Sequence, residues 1–360
     1  MTDSAKKRVL VMAGGTGGHV FPALAVAKEL RSRGCEIQWL GTDRGIEARL
    51  VPAANIHLHL LPISGVRGKG LKTLIGAPWK IVRSVWAARA ILQKFQPHVV
   101  LGMGGYASGP GGIAARIMGI PLVIHEQNAR PGTTNKWLAK IATRVLTAFP
   151  NVLPKAICIG NPVREDIAAL PEPETRLQNR TGPLQLLVLG GSLGAQALNE
   201  LVPKAVAPFI KEGQLQVRHQ TGAKHLDNTL AVYKECGVSG EVTAFIDDMA
   251  EALAWADLVV CRAGALTIAE LSAAGVASLL VPFPFAIDDH QTANARWLVD
   301  QGAAELYPQK SLTAEILKER VMTFIAQRGL LLKMAQAARK AAKSEATTSC
   351  ADICLEAANG

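Results

Sequence analysis

Apolar residues along this chain arrive in short β-branched runs separated by stretches of helical spacing, and the alternation continues through the sequence. Arg8–Met12 is such a run. After a glycine-rich turn, Ala23, Leu24, Val26, Ala27 and Leu30 fall on one helical face, and Gly34 closes it. The pattern predicts strands near 8–13, 36–41, 56–61, 98–102, 121–125, 144–148 and 156–159, with helices near 19–33, 46–53, 72–95, 109–118 and 134–142. Gly160-Asn161-Pro162-Val163-Arg164 then breaks the pattern, and a polar, proline-containing segment runs to Pro183. Beyond it the alternation restarts, with strands near 184–189, 215–219, 241–246, 257–261, 277–282 and 303–307. Helices are expected from about Ala195 and near 224–235, 248–255, 265–274, 290–301, 312–327 and 330–343. Ser344–Ala358 reads as a helix that reaches back to the first half. Strands alternating with helices predict parallel sheets. The fold class expected is α/β in two domains, 1–163 joined by 344–360, and 164–343, facing one another across a cleft.

Each half opens as strand, glycine-rich turn, helix. In the first, Met-Ala-Gly-Gly-Thr-Gly-Gly-His-Val-Phe-Pro-Ala occupies 12–23. Glycines at a helix N-terminus let backbone N–H groups approach an anion, and they leave Thr16 and His19 at the mouth. Pro22 suits a first helical turn. The plainer reading is a tight turn with Thr16 as the cap. The run is not the dinucleotide fingerprint: its third glycine would fall at Val20, and no acidic residue ends the second strand in register. A second glycine turn spans 102–110, and the strand Leu122–Ile124 ends in His125-Glu126-Gln127-Asn128. His19, His125 and Glu126 are therefore the candidates for proton transfer. In the second half, Arg262–Glu270 places small residues at a helix start, with Glu270 able to accept from ribose hydroxyls or simply to favour the positive helix end. Gln291 and Asn294 lie one turn apart and are expected to face a sugar, with Asp288 or Asp289 as a cap.

Composition narrows the classes. The 360 residues are 49% hydrophobic, enough for two cores, but no uncharged run is long enough to span a bilayer. Met1–Arg8 is polar, so no signal peptide is expected. Six scattered cysteines fit reduced thiols in the cytoplasm. The net charge of +10 is concentrated: Ala48–His125 holds no Asp or Glu but nine cations, namely Arg49, Arg67, Lys69, Lys72, Lys80, Arg83, Arg89, Lys94 and Arg116. Leu71, Leu74, Ile75, Trp79, Ile81, Val82, Val85 and Trp86 lie among them. About half of that apolar set should face the core, and the rest suits an anionic bilayer surface. With 5% aromatic residues and no nucleic-acid-binding motif, a nucleic-acid partner is not expected. No Asp-x-Asp triplet occurs, so no metal or other cofactor is expected.

Seven runs together resemble the MurG family, bacterial N-acetylglucosaminyltransferases that make lipid II. They are Gly-Gly-Thr-Gly-Gly-His (14–19), Gly-Met-Gly-Gly-Tyr (102–106), His-Glu-Gln-Asn (125–128), Gly-Asn-Pro-Val-Arg (160–164), Gly-Gly-Ser-Leu-Gly-Ala (190–195), Phe-Ile-Asp-Asp-Met (245–249) and Asp-Asp-His-Gln-Thr-Ala-Asn-Ala (288–295). The resemblance covers nearly the whole chain, and it implies the GT-B glycosyltransferase fold of two Rossmann-like domains. It implies transfer, with inversion, from UDP-N-acetylglucosamine to the 4-hydroxyl of undecaprenyl-diphospho-N-acetylmuramoyl-pentapeptide, lipid I. For the donor it implies Thr16, Gly17, Gly18, Asn128 and Arg164, with Ser192 on the phosphate and Ile246 presenting backbone groups to uracil. Ala265, Leu266 and Thr267 would serve the diphosphate, Ile268 and Ala269 the donor, Glu270 the ribose and Gln291 the sugar. His19 would be the base, with Gly104, Gly105, Tyr106, His125 and Glu126 around the acceptor. The expected setting is peripheral, at the cytoplasmic face of the inner membrane, alongside other cell-wall synthesis proteins. Leu193, Phe285 and Ala129-Arg130-Pro131 depart from the commoner family pattern.

Overall fold

The computed structural model describes residues 6–63, 77–191 and 194–360. The chain divides into two compact units, 1–164 with 344–360, and 165–343. The first holds a parallel seven-stranded sheet: β1 (Arg8–Met12), β2 (Glu36–Gly41), β3 (His57–Leu60), β4 (Val99–Gly102), β5 (Leu122–Glu126), β6 (Arg144–Thr147) and β7 (Ile157–Cys158). Their order is β3-β2-β1-β4-β5-β6-β7. Val9 to Met12 and Val99 to Leu101 are fully buried, as expected of central strands covered on both faces. The helix Ala346–Ala357 belongs to this unit, where Cys350, Ala351, Cys354 and Ala357 pack with Val9, Val11 and Val26.

The second unit repeats the plan with six parallel strands: β8 (Leu184–Leu189), β9 (Leu215–Gln220), β10 (Glu241–Thr243), β11 (Leu258–Cys261), β12 (Ala277–Leu280) and β13 (Ala304–Leu306). Their order is β10-β9-β8-β11-β12-β13. In each sheet the order reverses beside the unit's opening strand, between β1 and β4 and between β8 and β11. Met12 pairs with Gly102 at the first reversal, and Leu189 pairs with Cys261 at the second. Ligands of open α/β sheets bind beyond the carboxyl ends of strands at such a reversal. The glycine turns at 13–18 and 103–107, and the residues 190–191 and 262–264, leave the sheets at these two places.

Some local expectations shift. The first helix spans Gly17–Ser32, so Pro22 lies inside it rather than in its first turn, and the helix loses one bond there, the one to the Gly18 carbonyl. β10 ends at Thr243, three residues early, because residues 244–248 form a loop ahead of the helix Met249–Trp255. Thr133–Leu138 is also shorter than expected. Among the described residues, no helix is long and apolar enough to cross a membrane.

Candidate active site

In the first unit the two glycine turns lie against each other. A Cβ on Gly105 would come within 2.5 Å of the Gly14 carbonyl oxygen, and one on Gly104 within 2.8 Å of Nδ1 of His19. Gly104 and Gly105 also have positive φ, 95° and 88° in that order, where side chains are strained. Only glycine lets the second turn reach the first and lie beside the imidazole. Thr16 takes the N-cap position of Gly17–Ser32, but its side chain makes no capping bond. The helix's first N–H groups are thus not satisfied by a side-chain cap. His19 is half-buried, and its Nδ1 lies 3.0 Å from Oε1 of Gln127. Tyr106 stands next in the second turn, 55% exposed. Arg164 lies over the Phe21 ring at 5.8 Å.

Two residues to which the sequence reading gave no role hold this arrangement. Glu47 is fully buried beneath the first turn. Its Oε2 accepts from the Gly15 N–H at 2.8 Å, and its Oε1 accepts from the N–H and hydroxyl of Thr42 at 3.1 and 2.7 Å. Gly14, Gly41 and Gly45 make room for it, since a Cβ on any of them would collide with its side chain. Gln127, at 1% exposure, donates through Nε2 to the Met103 carbonyl at 2.8 Å. Its place just before the acid-free stretch that starts at Ala48 is the only signal the sequence offers for Glu47. Gln127 is marked only by its place in the run 125–128.

In the second unit, Gly264 caps the helix Ala265–Ala274 in extended conformation without a side-chain bond. The N–H groups of Ala265, Leu266 and Thr267 precede the first helical bond, which Ile268 makes to the Gly264 carbonyl at 2.9 Å. Three N–H groups therefore point out of the helix start, as an anion site needs. Glu270 lies half-buried in the second turn. Gln291 accepts the Phe283 N–H at 2.8 Å, and Arg262 donates to the Val281 carbonyl at 3.0 Å. Asn294 is buried and donates to the Ala263 carbonyl at 3.1 Å, so it supports the loop rather than facing a sugar. Ile246 lies in the loop after β10, and Gln220 ties that loop to the glycine turn by donating to both Ala244 and Gly191 carbonyls, at 3.2 and 2.9 Å. Ser192 and Leu193 lie outside the described residues. Asp288 and Asp289 both adopt left-handed backbone, and Asp289 takes the N-cap position of His290–Asp300 while accepting from the Thr292 hydroxyl at 2.6 Å.

Residues 9–147 match the Glycosyltransferase family 28 N-terminal domain, and 185–349 match the Glycosyltransferase family 28 C-terminal domain. The UDP-N-acetylglucosamine--N-acetylmuramyl-(pentapeptide) pyrophosphoryl-undecaprenol N-acetylglucosamine transferase of Marinobacter nauticus is 52% identical over 100% of both chains. The Chromohalobacter salexigens protein of the same name is 54% identical over 97% of each. The crystal structure of Acinetobacter baumannii MurG superposes with a TM-score of 0.84 at 43% identity, covering 97% of this chain and 99% of that one. The chain belongs to the MurG family. Its two parallel-sheet units are the Rossmann-like domains of the GT-B fold. A glycosyltransferase of kitacinnamycin shares that fold with a TM-score of 0.71 at 18% identity.

Four of the MurG-family residues expected from sequence are built into the fold. His125 is fully buried, and its Nε2 donates to the Gly160 carbonyl at 2.8 Å. Burial pushes its pKa down to about 4, so it stays neutral in the interior. Glu126 accepts from Asn128 N at 2.9 Å, Gly132 N at 3.1 Å and Asn135 Nδ2 at 2.8 Å. Its carboxylate anchors the loop that carries Asn128. Ile268 and Ala269 use their N–H groups inside the helix, and Ile268 is buried. Of the proton-transfer candidates, His19 alone stands at the mouth of the turns.

Proposed function

We propose that this chain transfers N-acetylglucosamine from UDP-N-acetylglucosamine to the 4-hydroxyl of the muramoyl residue of lipid I, giving lipid II. Identity of 52–54% to proteins of that named activity, over 97–100% of the chain, carries the reading. The turn that holds His19 supports the assignment of roles.

His19 takes the proton of the acceptor hydroxyl as its oxygen attacks the anomeric carbon. The bond from that carbon to the diphosphate breaks on the opposite face, and UDP leaves with the electron pair. A neutral imidazole is well matched to this step near pH 7. Negative charge grows on the departing diphosphate. The N–H groups of Ala265, Leu266 and Thr267 are already oriented, so they stabilise that charge without reorganising. Ser192 and Arg164 add to the diphosphate's hold, Ile246 meets the uracil, Glu270 the ribose and Gln291 the sugar. Thr16, Gly17, Gly18 and Asn128 complete the donor contacts, and Gly104, Gly105 and Tyr106 receive the acceptor.

A lipid-borne acceptor calls for a membrane-facing surface. The helix Ala77–Phe95 exposes Trp79, Ile81, Val82 and Trp86, with Lys80 and Arg83 exposed beside them and Arg89 over the Trp86 ring at 5.2 Å. Apolar side chains interleaved with cations suit an anionic bilayer surface. On this reading the protein works peripherally at the cytoplasmic face of the inner membrane. Arg67, Lys69, Leu71, Lys72, Leu74 and Ile75 lie outside the described residues.

The test is incubation with radiolabelled UDP-N-acetylglucosamine and a short-chain lipid I analogue. Label should appear in a lipid-linked disaccharide. Label recovered as a free or epimerised sugar nucleotide, with none in lipid, would refute the proposal.

A further inference from the structure

We infer that Gln127 is a positioning residue that fixes the tautomer of His19, leaving the Nε2 lone pair for the acceptor hydroxyl. The inference rests on the reading of His19 as the base.

An imidazole with a hydrogen bond at one nitrogen has its proton assigned by what that partner can do. The partner of Nδ1 here is Gln127, whose amide offers an oxygen that accepts and a nitrogen that donates. Which end faces His19 follows from the other contact. The Met103 carbonyl, 2.8 Å away, can only accept, so the amide nitrogen must face it. The amide oxygen is then left for Nδ1 at 3.0 Å. A flipped amide would set two oxygens against each other in a site where Gln127 is 1% exposed and water cannot relieve them. So Nδ1 carries the hydrogen, and Nε2 of the neutral ring carries the lone pair. Among the described residues, Nε2 has no hydrogen-bond partner.

The amide is itself fixed by the sheet. Met103 follows β4, and its N–H donates to the Met12 carbonyl at the end of β1 at 2.8 Å. The reversal point of the sheet therefore sets the Met103 carbonyl, that carbonyl sets the Gln127 amide, and the amide sets the proton on His19. Gly104, the next residue, lies against the ring because it has no Cβ. The imidazole is held on one side by the turn and at one nitrogen by the amide. This is the arrangement that keeps a base in one tautomer, as second groups do for metal-bound and triad histidines.

Long-range proton–nitrogen correlation spectra of the imidazole-labelled full chain read the tautomer directly, with the His19 signals assigned by their loss in His19→Ala. The wild-type protein should show His19 protonated at Nδ1, and Gln127→Met should shift it towards Nε2–H. With UDP-N-acetylglucosamine and the lipid I analogue, Gln127→Met should lose at least about tenfold in kcat with little change in KM for the donor. The ceiling is the ~10⁴-fold loss that follows a wrong imidazole tautomer in the serine-protease triad. Nε2–H as the main wild-type form would overturn the inference, and so would unchanged kcat in a correctly folded Gln127→Met. The wild-type spectrum needs no variant, so a misfolded Gln127→Met does not remove the test. Full turnover in His19→Ala would instead overturn the base assignment beneath it, whatever tautomer the spectrum shows.

Discussion

Replacing Glu47 by glutamine alters one atom of a side chain that the glycine turns enclose. Both carboxylate oxygens accept: one from Gly15 N–H, the other from the N–H and hydroxyl of Thr42. A glutamine keeps one of these oxygens and turns the other into an N–H donor. If the new donor faces Gly15, two N–H groups oppose each other in a fully buried site. If it faces Thr42, the hydroxyl can turn to accept, but the Thr42 N–H loses its partner. Either way one hydrogen bond to a charged group goes, worth about 1.5–3 kcal/mol, and a buried donor is left unmade. A cost of about 2–3 kcal/mol follows for the first unit. For a domain of this size that is a fall in Tm of roughly 5–10 °C. Differential scanning calorimetry of the full chain measures it, with the second unit's transition as internal reference. Turnover should fall too at temperatures where the first unit remains folded, since Gly15 belongs to the turn that carries His19. A first-unit Tm within 1 °C or so of wild type would refute the view that this carboxylate holds the turn.

Three further outcomes follow from the geometry. Gly104→Ala puts a methyl 2.8 Å from His19 Nδ1 at a φ of +95°, so kcat should fall at least about tenfold while far-ultraviolet circular dichroism stays native. Burial holds His125 at about 4 against an ordinary 6.5. Between those values the unfolded chain binds a proton that the folded one refuses, so stability is full above 6.5 and falls as the pH drops towards 4. His125→Gln should flatten that slope in denaturant titrations of the first unit. Lys80→Glu with Arg83→Glu should weaken sedimentation with anionic vesicles by more than tenfold, at about 1 kcal/mol for each basic side chain, and leave neutral vesicles unaffected. Trp79→Ala with Trp86→Ala should weaken both.

Much of this fold can be read from the chain because its signals are local. Arg8–Met12, Glu36–Gly41, Leu184–Leu189 and Ala265–Ala274 are continuous apolar runs or periodic faces bounded by glycine, and their observed ends fall on or within a residue of the expected ones. Val242, Ala244 and Ile246 continue a strand-like alternation, yet the strand stops at Thr243 because Gln220 binds the Ala244 carbonyl and turns the chain into a loop. The site is legible to the same degree. Glycines and their neighbouring His, Thr and Tyr announce themselves by spacing. What spacing cannot give is direction. His125 and Glu126 are the last two residues of β5, adjacent and polar, and only the packed structure shows that one reaches the Gly160 carbonyl and the other the loop at 128–135. Glu47 and Gln127 act across 32 and 108 residues of sequence, and nothing local records such distances.

The helix Ala346–Ala357 completes the first core, yet it follows the whole of the second unit along the chain. During synthesis the second unit can therefore close while the first still lacks its last wall. Val9, Val11 and Val26 must wait for Cys350, Ala351 and Cys354 to leave the ribosome. At about 5–20 residues per second, that leaves the incomplete core exposed for roughly ten seconds or longer, a window for chaperones to guard.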